Sequence, residues 1–530
     1  MSERRSFYRK IVYFIAICVL LFPLTMLSTP ATLTKAGGRL AQLRSEYQLS
    51  QANLGEVDPA SETIKLATLG LRGVAVNLLW DKANYYKKTE DWTNLTATLE
   101  QLAKLQPNFV TFWKFQAWNL SYNVSVEFDD YRDRYYYVIR GINFLKEGER
   151  YNLDNPQLLS DLGWFIGQKL GRADEHVQYR RLFKNDDDFH PPDRLPEQRD
   201  NWLVGKGWYL KALDAVDIKG KSLGRKSPRI FYSAPVMSQM NYSEAIEDEG
   251  LFERARRAWT TAAEEWEQFG RLVIEHSTGV KLRLGDQPPL EKLVAELQQQ
   301  LDALDPAARD ELVAKKRAAL SDEERAALDA KPQDRTEAQA ELAYVAASKL
   351  LVTHREVAER IAEAQPENSK RALQLAGELE REEFRLRYTI NYKNDANYDY
   401  WLTRAKMEQT DNAIAARTAM FNARRAFRQG DLLTAKQLFE EGFAKWRLVF
   451  DAFPYLLESV STAGDDLIDY AVQYRDVLDQ LDEPFGDDFP LWDVIEKFDN
   501  EQKLLEELTA HQQRTANAAT EAGPEQPASP

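Results

Sequence analysis

From Ile64 almost to Ala510 the chain keeps one texture. Apolar residues recur every three or four positions through long stretches, and short polar turns interrupt them. That period belongs to amphipathic helices. Alternating β-branched runs are scarce, with Arg229–Ser233 the nearest strand candidate. The pattern predicts an all-α fold. A length of 530 residues exceeds what one core supports, about 250–300 residues, so more than one structural unit is expected.

The predicted helices come in pairs. Leu79–Lys87 is followed by a turn at Thr89–Asp91 and a second helix, Asn94–Leu105, which stops before Pro107. Leu79, Ala83, Tyr86, Leu95, Leu99 and Leu102, with Pro107 behind them, fall where a repeat of about 34 residues packs its two helices together. A second pair runs from Phe109 to Tyr122 and from Tyr131 to Arg150, and a third opens at Leu158 and continues through Phe183. Gly163 and Gly167 lie on one face of that third pair, where missing side chains permit close helix approach. Near the C-terminus Ala423, Gly430, Ala435, Phe439 and Gly442 repeat the layout, with the second helix running on to Phe453–Pro454. Over about 64–183 and 405–455 the chain resembles tetratricopeptide-like helical-repeat proteins. The tryptophan of the family pattern is absent, and the Pro107-to-Pro156 spacing exceeds one unit. The resemblance implies an α-solenoid of stacked hairpins with a concave protein-binding face. Leu69–Ala75 and Asp129–Tyr137 are also similar to a planctomycete-type family of uncharacterised membrane-anchored proteins, sometimes labelled "iron responsive element". That label names an RNA structure and carries no functional weight, because nothing in the residues supports an iron or RNA role.

No charged residue occurs between Lys10 and Lys35, and Ile11–Leu27 is largely apolar, at the short edge of a bilayer-spanning helix. Arg4, Arg5, Arg9 and Lys10 stand in front of it. Positive flanks stay cytoplasmic, so the reading is a single-pass anchor with an inside N-terminus and a periplasmic or extracytoplasmic body. A cleaved signal peptide has the same order of segments, but Ser28–Thr32 lacks a clean Ala-x-Ala site. Cys18, the only cysteine, lies within this run. The body therefore has no disulfide, thiolate metal site or thiol nucleophile, and its stability rests on apolar burial. Its 12 Trp, 23 Tyr and 24 Phe supply the area for that.

The chain carries a net charge of −15 even with its basic leader. A body this acidic is not drawn to phosphate backbones, so nucleic acid is excluded as a general partner. The expected layout is a basic leader at 1–10, an anchor at 11–28, a stalk at 29–62 and helical repeats at 63–183. An irregular insertion at 184–250, with a candidate helix at Trp202–Leu213, and a helical connection at 251–289 follow. Residues 290–385, rich in Ala, Glu, Leu, Arg and Gln, read as a charged, coiled-coil-like helical hairpin. Its Leu290, Leu293, Leu297, Leu301 and Leu304 form a seam, and Ser321/Glu324 and Thr336/Gln339 form capping boxes. More repeat-like helices fill 386–508, and the aromatic-free end at 509–530 reads as disordered.

Signs of chemistry are few. Asp186, Asp187, Asp188, His190 and Asp193 make the best metal-like cluster, since hard cations favour oxygen-rich loops. The spacing is not that of a calcium loop, and a solvated acidic turn is the preferred reading, as it is for Asp482–Asp488. The five histidines show no two-ligand helical spacing, and Gly220–Ser222 lacks the upstream glycine and strand of a phosphate loop. No catalytic residue, cofactor or metal is assigned. The aromatic run offers partner-binding candidates in Phe109, Trp113, Trp118, Tyr122 and Tyr135, set against core packing as an internal helix. The expected function is a membrane-anchored scaffold for protein–protein interaction, without catalysis. The alternative is an exported glycan-binding or glycan-processing protein using the aromatic helices and acidic loops.

Overall fold

The computed structural model describes residues 72–521 apart from 225, 277 and 459–461, together with 37–46 and, in the leader, residues 13–16, 19, 22, 23, 26, 27 and 29. The fold is all-α. Among the described residues the strands are one antiparallel pair, Ile274–Glu275 and Lys281–Leu282. The expected anchor and stalk fall largely outside the described residues. Among those described, no helix is long and apolar enough to cross a membrane. Two compact units emerge: Met1–Lys226 with Met237–Tyr242, and Ser227–Val236 with Ser243–Pro530.

In the first unit, helix Arg72–Lys88 turns into Trp92–Leu105, with the Asp91 carboxylate accepting the Asn94 backbone N–H at 3.1 Å as an N-cap. Leu95, Leu99 and Leu102 are fully buried, and Ala83, Leu79 and Tyr86 join the same cluster. These are the six side chains that the repeat spacing selects. The next pair is Val110–Glu127 and Tyr131–Tyr151, then Pro156–Arg172 and His176–Lys184. A Cβ on Gly163 would lie 2.9 Å from the Gly205 carbonyl and 2.8 Å from the Tyr209 ring. The close approach expected from Gly163 and Gly167 is therefore made, against helix Asn201–Asp217.

Within 184–250, expected to be irregular apart from a helix at Trp202–Leu213, two helices form, Asn201–Asp217 and Pro228–Asp248. The strand candidate Arg229–Ser233 lies inside the second of these. Ser227 followed by proline at the first helical position begins a helix, and five apolar-rich residues are too few to fix a period.

In the second unit, Asp411–Arg428 and Leu432–Ala452 pack as a pair with Ala423, Ala435 and Phe439 fully buried. A Cβ on Gly442 would lie 2.7 Å from Met420 Cε, so the thioether end packs directly over the glycine. Thr462–Gln480 and Trp492–Phe498 complete that core. Residues 290–385 form a small core of their own rather than one hairpin. Leu297 and Leu301 meet Val357 and Ile361 of His354–Ala364 and Leu375 and Leu379 of Ser369–Asp395. Both expected capping boxes form, and a third forms at Thr353/Glu356. Of the end expected to be disordered, 509–530, the part up to Glu521 continues helix Leu505–Glu521, and 522–530 lie outside the described residues. His511 stacks on Trp492, ring centroids 4.3 Å apart, and Arg514 grips the Asp487 carboxylate at 2.8 Å. Contacts with distant residues order a segment whose composition alone does not.

Candidate functional site

The structure divides the five aromatic candidates. Trp113 is core: it is 3 % exposed, and its indole N–H donates to the Pro107 carbonyl at 2.7 Å. Phe109 is exposed at the head of its helix, edge-on to Phe112 at 4.6 Å. Tyr135 is half-buried and donates its hydroxyl to Asp186 at 2.9 Å. Burial, and then the Asp186 charge, push its phenol far up.

Trp118 and Tyr122 belong together, and Trp164, which the sequence reading did not select, completes them. Their rings are near-parallel: Trp118 to Tyr122 at 6.1 Å and 18°, Tyr122 to Trp164 at 5.9 Å and 28°. Trp118 is 41 % and Trp164 43 % exposed, so two indoles flank a half-buried phenol on an open shelf. Burial raises the Tyr122 phenol to about 12. Lys169 lies 4.4 Å over the Tyr122 ring, and burial pulls its ammonium below the ordinary lysine value.

Both helices bearing the shelf leave α-register where it forms. Asn119–Val124 and Phe165–Lys169 are π-helical, a geometry common at functional sites because the extra residue re-aims the side chains. Each bulge is held by buried polar groups. In the first, Asn123 donates to the Asn119 side-chain oxygen at 3.0 Å, and Ser125 donates to the Ser121 carbonyl at 2.7 Å. In the second, the Asn201 amide donates to the carbonyls of Ile166 and Gly167 at 3.2 and 3.0 Å. Arg180 in turn donates to Asn201 at 2.7 Å and to Asp200 at 2.9 Å, all three nearly out of water. The shelf thus rests on a fixed polar network, which is how a recognition surface is pre-organised.

The acidic cluster spends its groups internally. Asp186 accepts from Tyr135 and from the Phe189 backbone, and Asp187 pairs with Arg199 at 2.7 Å. His190 is buried, its Nε2 facing the Phe183 carbonyl at 2.8 Å and its Nδ1 facing Arg194 at 3.0 Å. Those partners place the proton on Nε2, and burial lowers the imidazole pKa. Asp188 and Asp193 add no converging ligand, and among the described residues no three His, Cys, Asp or Glu side chains gather to hold a metal ion. In the second acidic loop, hydrogen bonds from Arg514 and then His511 draw Asp487 down to about 2.

The second unit hides a charge network that no local pattern announces. Arg417 donates to both Glu408 oxygens, at 2.5 and 3.2 Å, and to Asp466 at 3.0 Å. Arg404 pairs with Glu244 at 2.9 Å and Glu408 at 3.5 Å. Glu247 lies 3.8 Å from Arg417, and its Oε1 accepts no hydrogen bond. Burial, and then the Glu408 charge, raise the Glu247 carboxyl well above its ordinary value. The network ties helices Pro228–Asp248, Tyr398–Glu408 and Asp411–Arg428 together. No family model matches the chain, and no curated protein matches it.

Proposed function

We propose that the protein is a membrane-tethered helical-repeat scaffold of tetratricopeptide-like construction. It recruits protein partners on the exported side of the membrane and performs no bond chemistry of its own. The observation that carries this reading is the Trp118–Tyr122–Trp164 shelf. Rigid aromatic rings give large contact area at little conformational cost, and tryptophan and tyrosine dominate binding hot spots. The paired helices with small residues at their contacts support the repeat architecture. The tether is supported by the basic cluster before an uncharged run, and by its described side chains Tyr13, Phe14, Ile15, Val19, Phe22 and Met26, all exposed and apolar.

The test combines topology with recognition. A reporter fused after Pro530 is active only on the exported side. Affinity purification of the full chain from solubilised membranes retains a defined protein set that the Trp118→Ala/Trp164→Ala variant loses. A cytosolic reporter contradicts the tether, and an unchanged protein set contradicts the shelf.

The near-parallel exposed indoles favour one second reading, an exported glycan binder, because flat ring faces also stack on sugars. Saturable binding to a glycan array that is lost in the same double variant, with no change in the protein set, selects it.

A further inference from the structure

We propose a second recognition site in the second unit: an open trough that takes an acidic peptide segment bearing apolar side chains. The trough has a volume of about 740 Å³ and lies between the β-hairpin at Val280 and Lys281 and the face of helix Ser369–Asp395 carrying Gly377, Arg381, Phe384 and Arg385. Two features point to a ligand. The first is Gly377. A glycine deep inside a 27-residue helix costs helix stability and normally repays it through packing. Here a Cβ would meet only the tip of Arg381, at 3.8 Å, so no neighbour requires the missing side chain. What the glycine leaves is room on the trough floor.

The second feature is charge. Arg385 is matched by Glu382 at 2.6 Å, but Lys281 and Arg381 form no ion pair among the described residues. Glu380 is the other acid on the wall, so the lining is net positive in a chain of net −15. Phe384 and Val280 supply the apolar surface between those cations. Small-molecule sites enclose most of their ligand. This trough is open to solvent, which suits a peptide segment, its carboxylates on Lys281 and Arg381 and an apolar side chain against Phe384.

The test uses the whole chain and a fluorescein-labelled peptide of alternating glutamate and leucine, with a glutamine–leucine peptide as control, read by anisotropy. The expected result is saturable, salt-sensitive binding of the acidic peptide, weaker by about tenfold or more for the control and for Lys281→Glu/Arg381→Glu. Gly377→Leu fills the floor and abolishes binding while the thermal midpoint stays the same or rises. Absence of binding to the parent chain overturns the proposal, and so does binding that survives both Gly377→Leu and the double charge reversal.

Discussion

Asn201 donates its side-chain amide to the backbone carbonyl of Gly167 at 3.0 Å, and that bond fixes the π-helical turn on which the aromatic shelf depends. A π-turn shifts the hydrogen-bond ladder. Asn201, itself held by Arg180, adds side-chain hydrogen bonds to the carbonyls of that turn. Asn201→Ala therefore removes three buried hydrogen bonds, two to those carbonyls and one from Arg180. The expected loss is about 1 kcal/mol for each bond removed. Denaturant unfolding measures it, and a change in native tryptophan emission reports the shelf relaxing.

Truncating the shelf separates binding from folding. Trp118 and Trp164 are each more than a third exposed, so Trp118→Ala and Trp164→Ala cost little core burial. Each is expected to lower affinity for the recruited partner by about 2 kcal/mol or more. Calorimetry with that partner, alongside thermal unfolding, checks both halves of the statement.

Glu247 predicts an unusual pH response. Its folded carboxyl binds a proton more tightly than the unfolded one, whose value is about 4.3. Its contribution to stability is complete below that unfolded value and is lost as pH rises toward the folded one. Glu247→Gln removes the titration, so the variant matches the parent in acid and becomes the more stable of the two toward neutral and alkaline pH. Arg417→Met, which leaves Glu408 buried without its bidentate partner, is expected to cost about 3–5 kcal/mol. Urea titrations across the pH range test both.

Asp487 behaves in the opposite sense. Its carboxyl is drawn down to about 2 by Arg514 and His511, so its hold on the last helix is present above about 4, the unfolded aspartate value, and fades as pH falls toward 2. Asp487→Asn is expected to open helix Leu505–Glu521 at neutral pH. Limited trypsin cleavage after Arg514 at neutral pH, faster in the variant, and limited pepsin cleavage within helix Leu505–Glu521 of the parent, faster as pH falls from about 4 toward 2, are the measurements.

What could be read from the residues was what is local. Capping boxes at Ser321 and Thr336, the Gly163/Gly167 approach and the Ala423–Gly442 packing all follow from spacings within one or two turns. Trp164 escaped because it meets Tyr122 across two helices, and because an assumed period of about 3.6 hides a π-bulge. The Arg404/Arg417 network escaped for a related reason. Its charges sit on separate helices, where each alone reads as part of a solvated face. Helix Leu505–Glu521 lacks aromatics of its own and is ordered by Trp492 and Asp487.

The central claim is that the shelf is where partners dock. Site-specific photocrosslinking from position Trp118 in native membranes addresses it most directly, with Val177, an exposed residue, as the comparison position. The account predicts one defined protein adduct from Trp118, none from Val177, and loss of that adduct on Trp164→Ala. Equal labelling from both positions, or an adduct indifferent to Trp164→Ala, would contradict it.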